Sequence, residues 1–186
     1  MAETIPLHLP DGTTISEPPA SRAFSFRGDA AAANAVEAAL GLSLPTSSCR
    51  AVESPGRAAL WLGPDEWMIV TERDAANIDS ALRAGLAPHA HSLVEVSDRD
   101  LVFDVSGLSA ALLLNAGVPL DLHDGAFPPG MCVRTLLGKC GVLLWRRAPQ
   151  TFRLCVARSF APYAITFLAQ AARGLPGKAV SPTAHA

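Results

Sequence analysis

The stretch "ALWLGPDEWMIV", residues 59–70, places two tryptophan-marked apolar runs on either side of a turn. Gly, Pro and Asp favour tight turns, and short apolar runs bounded by such residues favour strands. The stretch therefore predicts a β-hairpin with one face in a hydrophobic core. A second hairpin of the same kind is predicted at "LLWRRAPQTFRLCV", residues 143–156.

These two hairpins belong to a longer internal duplication. A strand ending at Gly28 and a strand ending at Gly107 each precede a predicted helix, and a tryptophan-marked hairpin follows each helix. The offset from Gly28 to Gly107 is close to the offset from Trp61 to Trp145. In each half the predicted order is strand, helix, hairpin, helix and strand-like return. We therefore predict an α+β fold of duplicated ferredoxin-like (split β-α-β) units.

Local signals give the limits of the predicted helices. Asp29 opens an alanine-rich helix that ends at Leu40, with Gly41 as its C-terminal stop. The next helix is predicted to begin near Asp74, a residue type that favours N-caps. The second half repeats this with a helix over 109–116 and a last helix over 160–172, capped by Ser159.

The ends of the chain differ in composition from its middle. Four prolines fall within the first 20 residues, which is typical of an extended segment. We predict an extended N-terminal arm over 1–21, a single globular domain over 22–173 with similar halves of about 22–97 and 98–173, and a flexible C-terminal tail over 174–186.

Composition excludes several classes of function. The net charge is −2 and no basic stripe is present, which argues against nucleic-acid binding. No run of about 18 apolar residues and no secretory signal is visible, so we expect a cytoplasmic protein with no membrane contact. Charged residues make up 17% of the chain, and a charge-poor exterior favours a surface covered by a partner. The four cysteines lack C-x-x-C spacing and are interpreted as small buried hydrophobes.

No set of residues converges on a catalytic site. Phosphate-binding glycine motifs, H-E-x-x-H and G-x-S-x-G are absent from the sequence. His89 and His91 could share a face, but a zinc site needs further ligands. His123 lies among aspartates that a turn explains equally well. The "VSDRD" segment, residues 96–100, is either a functional charge cluster or a solvated turn with local ion pairing.

Several motifs together resemble those of one protein family, the gamma subunit of heterotetrameric sarcosine oxidase. The likeness runs from about residue 22 to residue 173. It is carried by "ALWLGPDEW" (59–67), "VSDRD" (96–100), "DVSG" (104–107), "PLDLH" (119–123), "FPPG" (127–130) with Thr135, "LLWRR" (143–147) and "RSFA" (158–161).

The resemblance implies a fold related to the folate-binding domain of aminomethyltransferases. It also implies alpha, beta and delta subunits as partners, in a complex that oxidatively demethylates sarcosine to glycine with tetrahydrofolate as the one-carbon acceptor. FAD, FMN and NAD would belong to the alpha and beta subunits, and zinc to delta. No catalytic, cofactor-binding or metal-ligating residue is expected on this chain, which would be a non-catalytic subunit.

Subunit contacts are predicted at rigid or apolar positions outside the helix faces. Besides the N-terminal arm, the predicted contact residues are Gly63, Pro64, Asp65, Trp67, Leu120, His123, Phe127, Pro128 and Pro129. Trp67 could instead be a core residue, and the loop around Phe127 could serve only to fix the entry of a strand. Two other functions stay open at this point: a stand-alone folate-binding or one-carbon transfer protein, and a small-molecule or metal sensor.

Overall fold

The computed structural model describes residues 6–72 and 77–175. Its strands are β1 (Leu7–His8), β2 (Thr14–Ser16), β3 (Ser21–Gly28), β4 (Ala51–Ser54), β5 (Arg57–Gly63), β6 (Glu66–Glu72), β7 (His91–Glu95), β8 (Asp100–Ser106), β9 (Cys132–Leu137), β10 (Cys140–Ala148) and β11 (Thr151–Ala157). Its helices are α1 (Ala30–Leu40), α2 (Ile78–Leu86), α3 (Ala110–Asn115) and α4 (Ala161–Ala172), and a 3₁₀ turn at Arg158–Phe160 precedes α4.

Two antiparallel sheets divide the chain as the duplication predicts. The first has strand order β4-β5-β6-β3-β7 and the second has order β1-β2-β8-β11-β10-β9. In the first sheet, β3, the β5–β6 hairpin and β7 take the strand order of a split β-α-β unit. In the second, β8 and the β10–β11 hairpin occupy the matching positions. The predicted α+β duplication is confirmed.

The sheets form the two inner layers of a four-layer arrangement. Helices α1 and α2 pack on the outer face of the first sheet, around Phe24, Phe26 and Ile69. Helices α3 and α4 pack on the outer face of the second sheet, around Phe103 and Phe152. The inner faces meet in a third cluster that comprises Ala58, Leu60, Met68, Cys132, Leu143 and Trp145. The alternation of side chains along each strand supplies both faces.

The N-terminal segment requires a correction. Residues 7–16 form the β1–β2 hairpin, and β2 pairs with β8 through Ile15 opposite Val105. Ile15 is buried in the core of the second sheet. The strand β2 thus occupies the place that β7 holds in the first sheet. The returning strand predicted after the last helix is instead supplied from the start of the chain, so the predicted extended arm over 1–21 contains part of the fold.

One glycine shows how closely this hairpin approaches the second half. Gly107 has φ of +134°, which disfavours other residues, and a Cβ at this position would lie 2.6 Å from Thr13 Cα. Thr13 is fully buried, and its hydroxyl accepts a hydrogen bond from Ser109 N at 3.1 Å. The glycine that ends β8 is therefore required by the N-terminal hairpin.

The predicted limits of α1, α3 and α4 agree with the structure to within a residue, but one predicted N-cap is wrong. The Asp29 carboxylate accepts from Ala32 N at 2.9 Å, and Gly41 ends α1 with φ of 60°. Ser159 does not cap α4, because it lies inside the 3₁₀ turn and Phe160 holds the N-cap position. The predicted helix start near Asp74 and the tail beyond Leu175 lie outside the described residues. Across the described parts of the chain, no helix is long and apolar enough to span a membrane.

Candidate functional site

The turn in the opening motif presents two of the predicted contact residues to solvent. Pro64 and Asp65 are exposed between β5 and β6, and Gly63 is half-buried where the strand pairing shifts register. The turn lies at the end of the hairpin, so these residues could reach a partner without disturbing the core.

Trp67 differs from its neighbours in the same motif, and its prediction as a contact residue is wrong for this chain. It is only 6% exposed and stacks on Phe26, with ring centroids 5.6 Å apart. Its indole Nε1 donates to the Pro45 carbonyl oxygen at 2.8 Å. The alternative interpretation of Trp67 as a core residue is confirmed.

The second predicted contact segment, residues 119–130, is a loop between α3 and β9. Leu120, His123 and Pro129 are exposed, and Pro128 is half-buried. The Asp121 carboxylate accepts from His123 N at 2.9 Å, so this aspartate serves a turn.

Phe127, in contrast, is 3% exposed and belongs to the core of the second sheet. Its prediction as a contact residue is corrected, because the apolar ring packs inward and anchors the loop.

A buried arginine holds this loop in place. Arg146 is 2% exposed, and its Nη1 donates to the carbonyl oxygens of Leu122 at 3.2 Å and Phe127 at 2.7 Å. Its Nη2 contacts the Asp124 carboxylate and the Pro149 carbonyl oxygen. The guanidinium also lies 4.9 Å from the centre of the Phe152 ring. A single cation therefore organises the predicted contact loop from within.

A second ion-pair group connects the two sheets beside the β5–β6 turn. Glu66 is buried, and its two carboxylate oxygens accept from Arg27 on β3 and Arg134 on β9, each at 2.5 Å. Hydrogen bonding from Arg134, and then from Arg27, lowers the pKa of the Glu66 carboxyl. In the described structure, Glu66 is the only carboxylate of the segment 59–70 that pairs with arginines from both halves of the fold.

A third group surrounds Trp145 between the sheets. Arg153 donates to both oxygens of Asp104, at 2.7 and 2.8 Å, and lies over the indole ring. Arg147 also lies over the ring and binds Glu53 of β4, which belongs to the other sheet. The Arg153–Asp104 pair lies within the second sheet, whereas the Arg147–Glu53 pair joins the two sheets.

The sheets separate into a cleft of about 680 Å³ near the end of β7. Its floor includes Met68 and Val102, and the linker between β2 and β3 forms one wall. Three arginines at the cleft have carboxylate partners: Arg22 binds Glu95, Arg153 binds Asp104 and Arg158 contacts Asp98.

The other candidate sites in the sequence take simple structural roles. Arg99 pairs with the adjacent Asp100 at 2.9 Å, in the turn between β7 and β8. His91 Nδ1 lies 2.8 Å from the His89 carbonyl oxygen. Within residues 6–72 and 77–175, no group of three or more His, Cys, Asp or Glu side chains is placed to hold a metal ion.

The four cysteines are free thiols, and two of them, Cys132 and Cys140, are buried. Burial raises the pKa of Cys132 to about 12. A thiol with such a pKa is a poor nucleophile at neutral pH.

Comparison with known protein families identifies the family of this chain. The sarcosine oxidase, gamma subunit family matches residues 26–174. The chain belongs to this family. This gamma-family chain is 33% identical over 138 residues to the sarcosine oxidase subunit gamma of Corynebacterium sp. strain U-96. The alignment covers 74% of this chain and 67% of the relative. The corresponding Arthrobacter protein is 32% identical over 138 residues, covering 74% and 68%.

Solved structures agree with the family assignment. The gamma-family chain superimposes on a chain of heterotetrameric sarcosine oxidase from Corynebacterium sp. U-96 with a TM-score of 0.83 and 27% identity, covering 90% and 87% of the two chains. It also resembles aminomethyltransferase T from Bartonella henselae, with a TM-score of 0.59 and 10% identity, over 83% of this chain and 44% of that one. The second likeness concerns the fold alone, and it confirms the predicted similarity of fold to aminomethyltransferases.

Sequence reasoning missed two residues, Arg146 and Glu66, that lie at or beside the two predicted contact loops. Arg146 and Glu66 are each within quoted motifs, but their partners are distant in sequence. The one available signal was a basic pair, Arg146-Arg147, inside an apolar strand, where a buried charge demands several hydrogen-bond partners.

Proposed function

We propose that this chain is the non-catalytic gamma subunit of a heterotetrameric sarcosine oxidase. The complex would oxidatively demethylate sarcosine to glycine, with tetrahydrofolate accepting the one-carbon unit. The observation that carries the proposal is the structural likeness to a chain of such an oxidase, with a TM-score of 0.83 over 90% of this protein. Family membership over residues 26–174 supports it independently.

The partners in this proposal are the alpha, beta and delta subunits, assembled in the cytoplasm. FAD, FMN and NAD would be bound by the alpha and beta subunits, and zinc by delta. The internal pairing of charges supports a structural role for this chain. Glu66, Asp104 and Arg146 all have partners within the chain, and each pairing fixes a sheet or a loop.

The exposed parts of the two predicted loops are the proposed contact surface. They comprise Gly63, Pro64 and Asp65 in the first loop, and Leu120, His123, Pro128 and Pro129 in the second. Trp67 and Phe127 support these loops from beneath, through the core contacts described above. A rigid loop loses little conformational entropy when a partner binds, which favours assembly.

Co-expression tests the proposal. The four subunits are produced together with an affinity tag on this chain, and the purified material is assayed for sarcosine-dependent oxygen uptake. The expected result is recovery of all four subunits with oxidase activity. Recovery of this chain alone would contradict the proposal, and heat released on titration of the lone chain with tetrahydrofolate would favour the stand-alone folate-binding alternative.

A further inference from the structure

In the described part of the chain, one edge of the first sheet is unpaired where the matching edge of the second sheet is covered. Strand β7 pairs with β3 on one side, and no described residue pairs with its other side. Its counterpart in the second sheet, β2, pairs with β8 on one side and is covered by β1 on the other. Among residues 6–72 and 77–175, the duplicated fold therefore has one strand fewer beside β7 than beside β2.

The register shows which backbone groups are unpaired. Val96 N donates to Ala23 O at 2.7 Å, which makes these two residues a hydrogen-bonded pair of the β3–β7 ladder. Hydrogen-bonded pairs alternate in an antiparallel ladder, so Ser92 and Val94 direct their N–H and C=O groups toward β3. The backbone groups of His91, Leu93 and Glu95 therefore point away from the sheet.

This edge lacks most of the features that discourage strand addition, and its one carboxylate, Glu95, is paired with Arg22 of β3. Proteins protect exposed edges with lysine, proline, bulges or very short strands. Strand β7 has five residues, carries neither lysine nor proline and pairs with β3 in continuous register. Val94 is 53% exposed, although it is a large apolar residue on a regular strand. In contrast, β1 on the second sheet has only two residues.

The cleft between the sheets continues from this edge. Glu95, Val96 and Ser97 line it, and so do Pro18 and Pro19 in the linker to β3. Successive side chains of a strand point to opposite faces of the sheet. In a strand added beside β7, every second side chain would therefore lie next to Val94 and point toward the cleft. The edge would fix the register of the added strand, and the cleft would accept its side chains.

We propose that an extended segment of a partner subunit adds to the first sheet as a strand beside β7, with an apolar side chain against Val94. The inference rests on the proposed function, because it takes the occupant from the same complex. A second copy of this chain is the rival occupant.

Residue-resolved amide hydrogen exchange tests this inference, with the isolated full chain and the purified complex compared under the same conditions. The amides of His91, Leu93 and Glu95 should exchange rapidly in the isolated chain and at least about tenfold more slowly in the complex. The amides of Ser92 and Val94 should be protected in both. Fast exchange of all three outward amides in an assembled complex would overturn the inference and leave the proposed function intact.

Two further outcomes would also overturn it. Protection of the outward amides in the isolated chain that rises with its concentration would identify a second copy as the occupant. Failure of the complex to form would remove the proposed function and the inference together.

A pair of variants at one position gives a second readout. His91→Pro removes an outward N–H, whereas His91→Ala removes the same side chain and keeps the N–H. His91→Pro should weaken assembly about tenfold or more relative to His91→Ala, because it removes a hydrogen-bond donor to the added strand. Urea unfolding midpoints verify that both variants fold. Equal assembly of two folded variants would contradict the proposal.

Discussion

The guanidinium of Arg146 holds the backbone of Phe127: Nη1 donates to the Phe127 carbonyl oxygen at 2.7 Å, and both residues are buried. The loop that carries the exposed residues Leu120 and His123 thus depends on a cation that sequence reasoning did not single out. This relationship connects the core of the second half to the proposed contact surface.

Arg146→Met should lower the free energy of unfolding by about 3 kcal/mol, because it leaves several buried carbonyl acceptors without a donor. Urea denaturation of the isolated chain measures the change. Arg83→Met is the control, since Arg83 forms an exposed pair with Asp79 and should change stability by about 0.5 kcal/mol or less. Equal effects of the two substitutions would contradict the role assigned to Arg146.

Features set by neighbouring residues could be predicted from the sequence. Helix α1 has its N-cap at Asp29 and its stop at Gly41, and both signals act within a turn of the helix. The β10–β11 hairpin needs only two apolar runs and a short turn. The duplication was visible because the same local signals occur twice.

Features set by distant residues could not be predicted. Strands β1 and β2 are too short to show a periodic pattern, and they form because β8 offers an edge about 90 residues later. The partners of Glu66 and Arg146 come from other strands and loops. A turn motif predicts chain reversal more reliably than it predicts which of the neighbouring side chains are exposed. The predicted contact residues therefore include Trp67 and Phe127, although both are buried.

Substitutions of Trp67 distinguish a role in the core from a role in subunit contact. Trp67→Ala should lower the free energy of unfolding by about 3–5 kcal/mol, since it removes a large core ring. Trp67→Phe should cost less, because it keeps an aromatic ring against Phe26 and loses the hydrogen bond to the Pro45 carbonyl oxygen. Chemical denaturation of both variants measures this order. A stable Trp67→Ala protein that fails only in assembly would restore the contact role.

The pairing of Glu66 with two arginines predicts that the stability of the protein depends on pH. Its pKa in the folded protein is lowered from the ordinary value of 4.5 by Arg134 and then Arg27, so its stabilising contribution is full above pH 4.5. The contribution is lost as pH falls from 4.5 through the lower pKa of the folded state. Urea unfolding from pH 7 to pH 3 should therefore show a stability difference between wild type and Glu66→Gln that shrinks below pH 4.5.

Asp98→Asn is the control for this series, because the Asp98 side chain is 97% exposed. A Glu66→Gln difference that stays constant down to pH 3 would show that the carboxylate is not held by the two arginines.

Cys132 should resist modification in the folded protein. Burial raises its pKa to about 12, so little thiolate is present at pH 8. Peptide mass spectrometry after brief treatment with a thiol reagent should find Cys132 unmodified in buffer and modified in concentrated urea. Rapid labelling of Cys132 in the native protein would indicate that the contact between the sheets is open.

The exposed residues of the second loop should affect assembly without affecting the fold. Leu120→Asp and His123→Asp should change the free energy of unfolding by about 0.5 kcal/mol or less, as is usual for surface positions. Together they should weaken binding to the other subunits about tenfold or more, which light scattering or a pull-down titration would detect. Unchanged assembly of the double variant would remove this loop from the contact surface.

Native mass spectrometry of the four co-expressed subunits tests the central claim most directly. The account predicts one particle that contains a single 19.4 kDa copy of this chain together with one copy each of alpha, beta and delta. An oxidase that assembles without this chain, while the chain remains a separate 19.4 kDa species, would contradict it.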